Sequence, residues 1–229
     1  MSEYNLNEYL KKLLSFAKAK DSEACAEVLS EKFATLGCLL QVDRFLLADT
    51  LSGDADIASY IRLVSALTSR RITDKYKNGK KYLQNELESY IIGLFCGADI
   101  ENVYVLLFDE SGRLISTDTL SDGTVNASGF LPRKLLDIAV RKKASSVVIA
   151  HNHPRGDTEP SRSDIVTTSI AKNVLESAGI ALTNHYIVAG FDIDDCISFV
   201  TGGHADLQAR SRKELVSADV KKEGIKDSK

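Results

Sequence analysis

"SSVVIAHNHPRGDTEPSRSDIVTTSIAKNVLESAGI", residues 145–180, changes character twice in one short run. "SSVVIA" (145–150) is β-branched and apolar, with the length of a buried strand, and it runs into His151. "SRSDIVTTSIAKNVLESAGI" (161–180) keeps helical spacing, with Val166, Ile170, Val174 and Ala178 expected on one buried face and Gly179 as the stop. Between them Pro154 and Gly156 force a turn, and Pro160 ends it just before a helix whose first turn holds Asp164. Strand, tight turn and helix in succession make an α/β unit.

The same alternation continues on both sides. "NVYVLLFDESGRLISTDTL" (102–120) is two β runs around a turn at Asp109–Gly112, hence a hairpin. "PRKLLDIAVRKKA" (132–144) is a helix that carries Pro132 at its start, where a missing N–H is tolerated. "ALTNHYIVAG" (181–190) and "DCISFV" (195–200) add two strands, so the order ββαβαββ predicts one α/β domain. Upstream, "YLQNELESYIIGLFCG" (82–97) predicts a helix that buries Leu83, Leu87, Ile91 and Leu94 or Phe95 and stops at Gly97. The polar stretch "TDKYKNGKK" (73–81), with its Asn-Gly pair, marks a boundary. Before it lies an all-helical module, in which Leu6, Leu10, Leu13, Leu14 and Ala17 share one stripe and Ile57, Ile61, Val64 and Thr68 another. Residues 207–229 are charged and weakly apolar, the composition of a tail.

Composition narrows the setting. At 229 residues and 44% apolar content the chain builds a core without staples. Cys25, Cys38, Cys96 and Cys196 are widely spaced, with no C-x-x-C pair and no leading apolar segment, which points to a reducing, cytoplasmic location. No apolar stretch approaches the roughly 20 residues needed to cross a bilayer, so no membrane association is expected. Net charge is −3, but residues 81–206 hold 10 Lys and Arg against 17 Asp and Glu, a poor electrostatic match for a phosphate backbone.

Two of the four histidines, His151 and His153, stand one residue apart at the end of the central strand. Residues two apart on a strand share a face, so both imidazoles can aim at one point. Two neutral imidazoles and the Asp164 carboxylate form a three-ligand set for one zinc ion (Zn2+) with the fourth position open, the pattern of a catalytic site. Ser161 and Asp164 also read as a plain helix cap, since Ser at the cap and an acid at the third position approach a capping box. A carboxylate base is needed within reach of the metal water. Glu101, just before the first strand, is one candidate, and Glu88, Asp99 and Asp118 are the alternatives. His185 is expected to support a ligand from behind or to sit in the core, because a fourth protein ligand would close the open position. His204 reads as a surface residue, and Arg155 as a cation beside the metal or a solvated side chain.

The spacing of His151, His153, Ser161 and Asp164 (H-x-H, seven residues, S, two residues, D) resembles that of JAMM (MPN-domain) metalloproteases. "AHNHPRGDTEPSRSD" is similar, more narrowly, to the bacterial RadC-type branch, and the likeness runs over 82–203 through "DGT", "PR" and "NHYIV". Arg155 stands where that branch usually has serine. The resemblance implies an MPN (JAMM, cytidine-deaminase-like) α-β-α domain at 82–206. It places a small helical module at 1–72 and a linker at 73–81 before that domain, and a charged tail at 207–229 after it. It implies zinc held by His151, His153 and Asp164, Glu101 as the base, and Ser161 as the hydroxyl that steadies the oxyanion. The reaction it implies is hydrolysis of a peptide or isopeptide bond in an unidentified peptide or protein substrate.

RadC-like chains commonly carry a helix-hairpin-helix ahead of this domain. Here "TLSGDADIASY" (50–60) has a single glycine and two aspartates at that place, and acidic groups repel phosphate. Residues 1–72 are therefore a degenerate module for packing or protein contact, and nucleic acid is not supported as a partner by charge or by the hairpin. Arg70 and Arg71 read as solvated charges at a helix end. The alternatives to a hydrolase are a DNA repair or recombination accessory, and a non-catalytic interaction module on the same scaffold.

Overall fold

The computed structural model describes residues 6–17, 19–33, 36–42, 44–51, 54–98, 100–120, 130–154, 156–190 and 193–199. Asp99, the "DGT" of 122–124, Arg155, His204 and the 207–229 tail lie outside the described residues. In chain order come helices α1 (Leu6–Phe16), α2 (Ser22–Lys32), α3 (Leu36–Gln41), α4 (Arg44–Thr50), α5 (Ala55–Thr73) and α6 (Gln84–Phe95). The hairpin β1 (Val103–Phe108) and β2 (Leu114–Thr119) follows, then α7 (Phe130–Arg141), β3 (Ser146–Asn152), α8 (Arg162–Ser177), β4 (Ala181–Val188), a 3-10 turn (Ile193–Asp195) and β5 (Cys196–Ser198).

The five strands form one mixed sheet in the order β2-β1-β3-β4-β5. Among neighbouring strands only β3 and β4 pair in parallel, and α8 makes the crossover between them. The hairpin closes where Asp109 Oδ1 accepts the N–H groups of Ser111 and Arg113, both at 2.9 Å. Alternation then sorts the β3 side chains: Val148 and Ala150 pack with Ile91, Ile92 and Phe95 of α6, while Val147 and Ile149 pack with Leu135 of α7 and Ala171 and Leu175 of α8. The sheet is thus sandwiched between α6 on one face and α7 and α8 on the other, the expected α-β-α arrangement. His151 continues the α8-facing set, which brings it beneath the N-terminus of that helix.

The N-terminal helices build their own core from Leu10, Leu14, Leu29, Leu47, Ile57 and Ile61 among others. They join the sheet region through α5 and α6, where Ser69 Oγ donates to the Gly93 carbonyl at 2.7 Å. A Cβ at Gly93 would lie 2.5 Å from Ile72 Cγ2, so glycine is what permits this close approach. The boundary stretch is itself held: Gly79 N–H donates to Leu114 O at 2.7 Å and Leu114 N–H to Lys80 O at 2.9 Å.

Two expected faces need correction. On α8 the buried residues are Thr168, Ala171 and Leu175, while Val166 and Ile170 are 50% and 44% exposed and Ala178 is exposed. The inward stripe carries polar residues whose hydrogen bonds are met inside, so the most apolar stripe is not the buried one. On α6, Ile91 and Phe95 are buried as expected, but Leu83 precedes the first helical turn and is exposed, and Glu88, Tyr90 and Ile92 are buried beside them.

Candidate metal centre

β3 delivers His151 from the sheet, 2% exposed. His153 follows one residue past the strand, fixed there by its N–H donating to Val188 O at 2.9 Å. Asp164 comes from the first turn of α8, and that turn is a capping box: Asp164 N–H donates to Ser161 Oγ at 3.2 Å, and Ser161 N–H donates to Asp164 Oδ2 at 2.8 Å. The cap reading and the ligand reading therefore hold together, since one carboxylate serves the helix end and faces the histidines.

The three side chains converge. One ligand atom from each of His151, His153 and Asp164 lies within 4.8 Å of the other two. His151 Nε2 is 2.9 Å from His153 Nε2 and 3.7 Å from Asp164 Oδ1, and His153 Nε2 is 3.6 Å from Asp164 Oδ2. Ligand atoms around a tetrahedral zinc with bonds of about 2.0–2.1 Å stand about 3.3 Å apart, within the spread of these separations.

Hydrogen-bond partners fix where the ring protons sit. His153 Nδ1 faces the Asp157 carbonyl at 2.9 Å; a carbonyl only accepts, so that nitrogen carries a proton and Nε2 is the one turned to the site. The Thr168 hydroxyl donates its single proton to the Asp164 carbonyl at 2.6 Å, so Oγ1 accepts from His185 Nδ1, also at 2.6 Å. Burial, and then the neighbouring His151, push His185 well below the ordinary histidine range, so it is neutral and its Nε2 accepts from His151 Nδ1 at 2.8 Å. His151 Nε2 is thereby left with a lone pair aimed at His153 Nε2.

Two ring nitrogens 2.9 Å apart need a positive centre between them. In the metal-free chain a proton takes that place: hydrogen bonding to Asp164 raises His153 to about 9, against the opposing effect of burial, and Asp157 adds to it. Burial alone would raise the Asp164 carboxyl, yet the imidazoles of His151 and His153 that face it, with the capping contact to Ser161, outweigh it and hold it below the usual carboxylate range. An anionic carboxylate and two imidazoles sharing a proton are the donor set a divalent cation takes over, so these residues fit the zinc that the spacing suggests.

Glu101 is exposed, and it forms no hydrogen bond or ion pair with the described residues. Val103 pairs with His151, and Asn102 N–H donates to Asn152 Oδ1 at 2.8 Å, so continuing the register by two residues sets Glu101 opposite His153. Two of the alternative carboxylates, Glu88 and Asp118, are placed elsewhere. Glu88 is buried on α6, across the sheet, where Gln84 Nε2 donates to it at 2.9 Å; Asp118 lies on β2, separated from β3 by β1, and accepts from Ser116 Oγ at 2.7 Å. Sequence reasoning missed Thr168 and Asp157. A threonine one turn after a suspected helical ligand was the available signal for Thr168, and an acid four residues after His153 for Asp157.

Among the described helices none is long and apolar enough to cross a membrane. Residues 78–204 match the family model described as RadC-like JAB domain. A UPF0758 protein of Pseudoalteromonas translucida is 31% identical over 149 residues, covering 64% of this chain and 65% of that protein. One from Finegoldia magna is 39% identical over 103 residues, 43% of this chain and 46% of its own length. One from Chromobacterium violaceum is 29% identical over 192 residues, 82% of this chain and 80% of that protein. The chain thus spans about half to two thirds of the first two relatives. With more than half of its residues inside that match, the chain belongs to the RadC-like JAB domain family.

Proposed function

We propose that this protein is a zinc-dependent hydrolase acting on a peptide or isopeptide bond. The observation that carries the proposal is the convergence of His151 Nε2, His153 Nε2 and an Asp164 oxygen within 4.8 Å, drawn from a rigid strand end and a capped helix start. Membership of the family supports it. When bound, the zinc supplies Lewis acidity, polarising a carbonyl and lowering the pKa of a water.

The chain's own residues would divide the remaining work. His151, His153 and Asp164 hold the ion and leave a position for water or substrate. Glu101, exposed and opposite His153 in register, takes the water's proton and passes it to the leaving amine. The Ser161 oxygen already accepts the Asp164 N–H, so its own proton is available to donate to the developing oxyanion. The substrate is a peptide or protein.

Elemental analysis of the purified protein beside a His151→Ala variant, followed by a peptide-library cleavage screen, tests the proposal. Stoichiometric zinc lost in the variant, with cleavage by the wild type alone, is the expected result. A wild-type protein that takes up no divalent ion would overturn it.

A further inference from the structure

A hydrogen-bond relay joins two of the ligands behind the site. From His151 Nδ1 it passes to His185 Nε2, from His185 Nδ1 to Thr168 Oγ1, and from the Thr168 hydroxyl to the backbone carbonyl of Asp164, at 2.8, 2.6 and 2.6 Å. His151 comes from β3, His185 from β4, and Thr168 and Asp164 from α8. We infer that Thr168 and His185 are positioning residues, and that the Thr168 hydroxyl sets the direction of this relay so that His151 presents a bare Nε2 to the metal. The inference rests on the metal reading of the site.

A chain of two imidazoles and a hydroxyl can carry its protons in either sense. In the sense that the Asp164 carbonyl imposes, each group donates toward Asp164, and His151 is protonated on Nδ1. In the reverse sense Thr168 donates to His185 Nδ1, His185 Nε2–H donates to His151 Nδ1, and the remaining His151 proton must sit on Nε2, where it blocks a cation. The Asp164 carbonyl selects between them, because it accepts only and lies one helical turn before Thr168, within reach of its hydroxyl. His151, Thr168 and His185 are all buried, at 2%, 1% and 5% exposure, so water does not offer a substitute partner. The same relay ties the strand that supplies one ligand to the helix that supplies another. It therefore fixes their separation as well as the tautomer.

The test compares metal affinity, measured by competition with a chromophoric chelator, and the visible spectrum of the cobalt-substituted protein, in full-length variants. Thr168→Val removes the hydroxyl at nearly constant shape. His185 Nδ1–H would then be buried without a partner, which favours the reversed tautomer, and zinc affinity should fall about 10- to 100-fold. Thr168→Ser restores a hydroxyl at the same place and should recover the affinity to within about threefold. Should Thr168→Val fail to fold, a second pair decides: His185→Gln keeps a carbonyl to accept from His151 and should bind more tightly than His185→Leu. A filled core without a relay would change thermal stability but leave affinity and the cobalt spectrum alone. Equal zinc affinity in the wild type and Thr168→Val, or in the two His185 variants, would overturn the inference while leaving the metal site standing. A wild type that binds neither zinc nor cobalt would overturn both.

Discussion

The first turns of α5 and α8 are each held by an aspartate that accepts a backbone N–H, and the two aspartates have different uses. At the start of α5, Asp54 Oδ1 takes the Ile57 N–H at 3.0 Å, with no histidine partner among the described residues. At the start of α8, Asp164 Oδ2 takes the Ser161 N–H at 2.8 Å, while Oδ1 stands 3.7 Å from His151 Nε2. Locally both are caps. What separates them is the element across the way: β3 ends opposite α8 with two imidazoles. A cap becomes a ligand by what it faces, so removing either the facing groups or the shared carboxylate should separate the two roles.

The strongest way to break the comparison is Asp164→Asn set beside Asp54→Asn. The carboxamide oxygen can still accept the Ser161 N–H, so the cap itself survives and the metal-free protein loses only the attraction between the carboxylate and His153. Zinc uptake should nevertheless vanish in Asp164→Asn and persist in Asp54→Asn, read by elemental analysis; retained zinc in Asp164→Asn would make the α8 aspartate a cap alone. Glu101→Gln should keep the zinc and lose about 10²- to 10⁴-fold in turnover on any peptide the screen yields, because the proton carrier is gone and the ligands are not.

A smaller effect is expected from pH. His153 is raised to about 9 by Asp164, and the cation must displace that proton. Apparent zinc affinity should therefore fall about tenfold for each unit below about pH 9 and level off above it. Asp164, held below the usual carboxylate range, adds no second proton near neutrality. The stability of the metal-free protein runs the other way. A raised pKa means that the His153 contribution is complete below its ordinary 6.5 and disappears as pH rises through about 9, which denaturation at several pH values would register. The smallest effect belongs to the caps as caps: Asp54→Ala and Ser161→Ala should each cost about 1 kcal/mol by chemical denaturation, and Asp54→Ala should leave zinc uptake unchanged.

The element order of the sheet region was legible in the sequence because each strand and helix there keeps its own period, bounded by Gly79, Gly97, Gly112 and Gly179 in turns that need positive φ. The His151, His153 and Asp164 cluster was legible because H-x-H on a strand and an acid in the next helix's first turn leave few arrangements. The buried face of α8 was not. Apolarity pointed to Val166 and Ile170, whereas the inward stripe carries Asp164 and Thr168, whose partners come from β3 and β4 and are invisible to any local pattern. His185 was expected behind a ligand or in the core, and it lies buried 2.8 Å from His151; Thr168, its second partner, had no apolar or spacing pattern to announce it.

The parallel pairing of β3 with β4 bears on how the molecule is made. His151 and Asp164 emerge from the ribosome close together, but His185 follows 34 residues behind His151, and the two strands can join only after α8 has closed the crossover. On the proposed metal reading, a nascent chain halted before β4 would own every group meant to grip the ion and still lack the neighbour that turns one imidazole the right way round, so metallation would come at the end of folding.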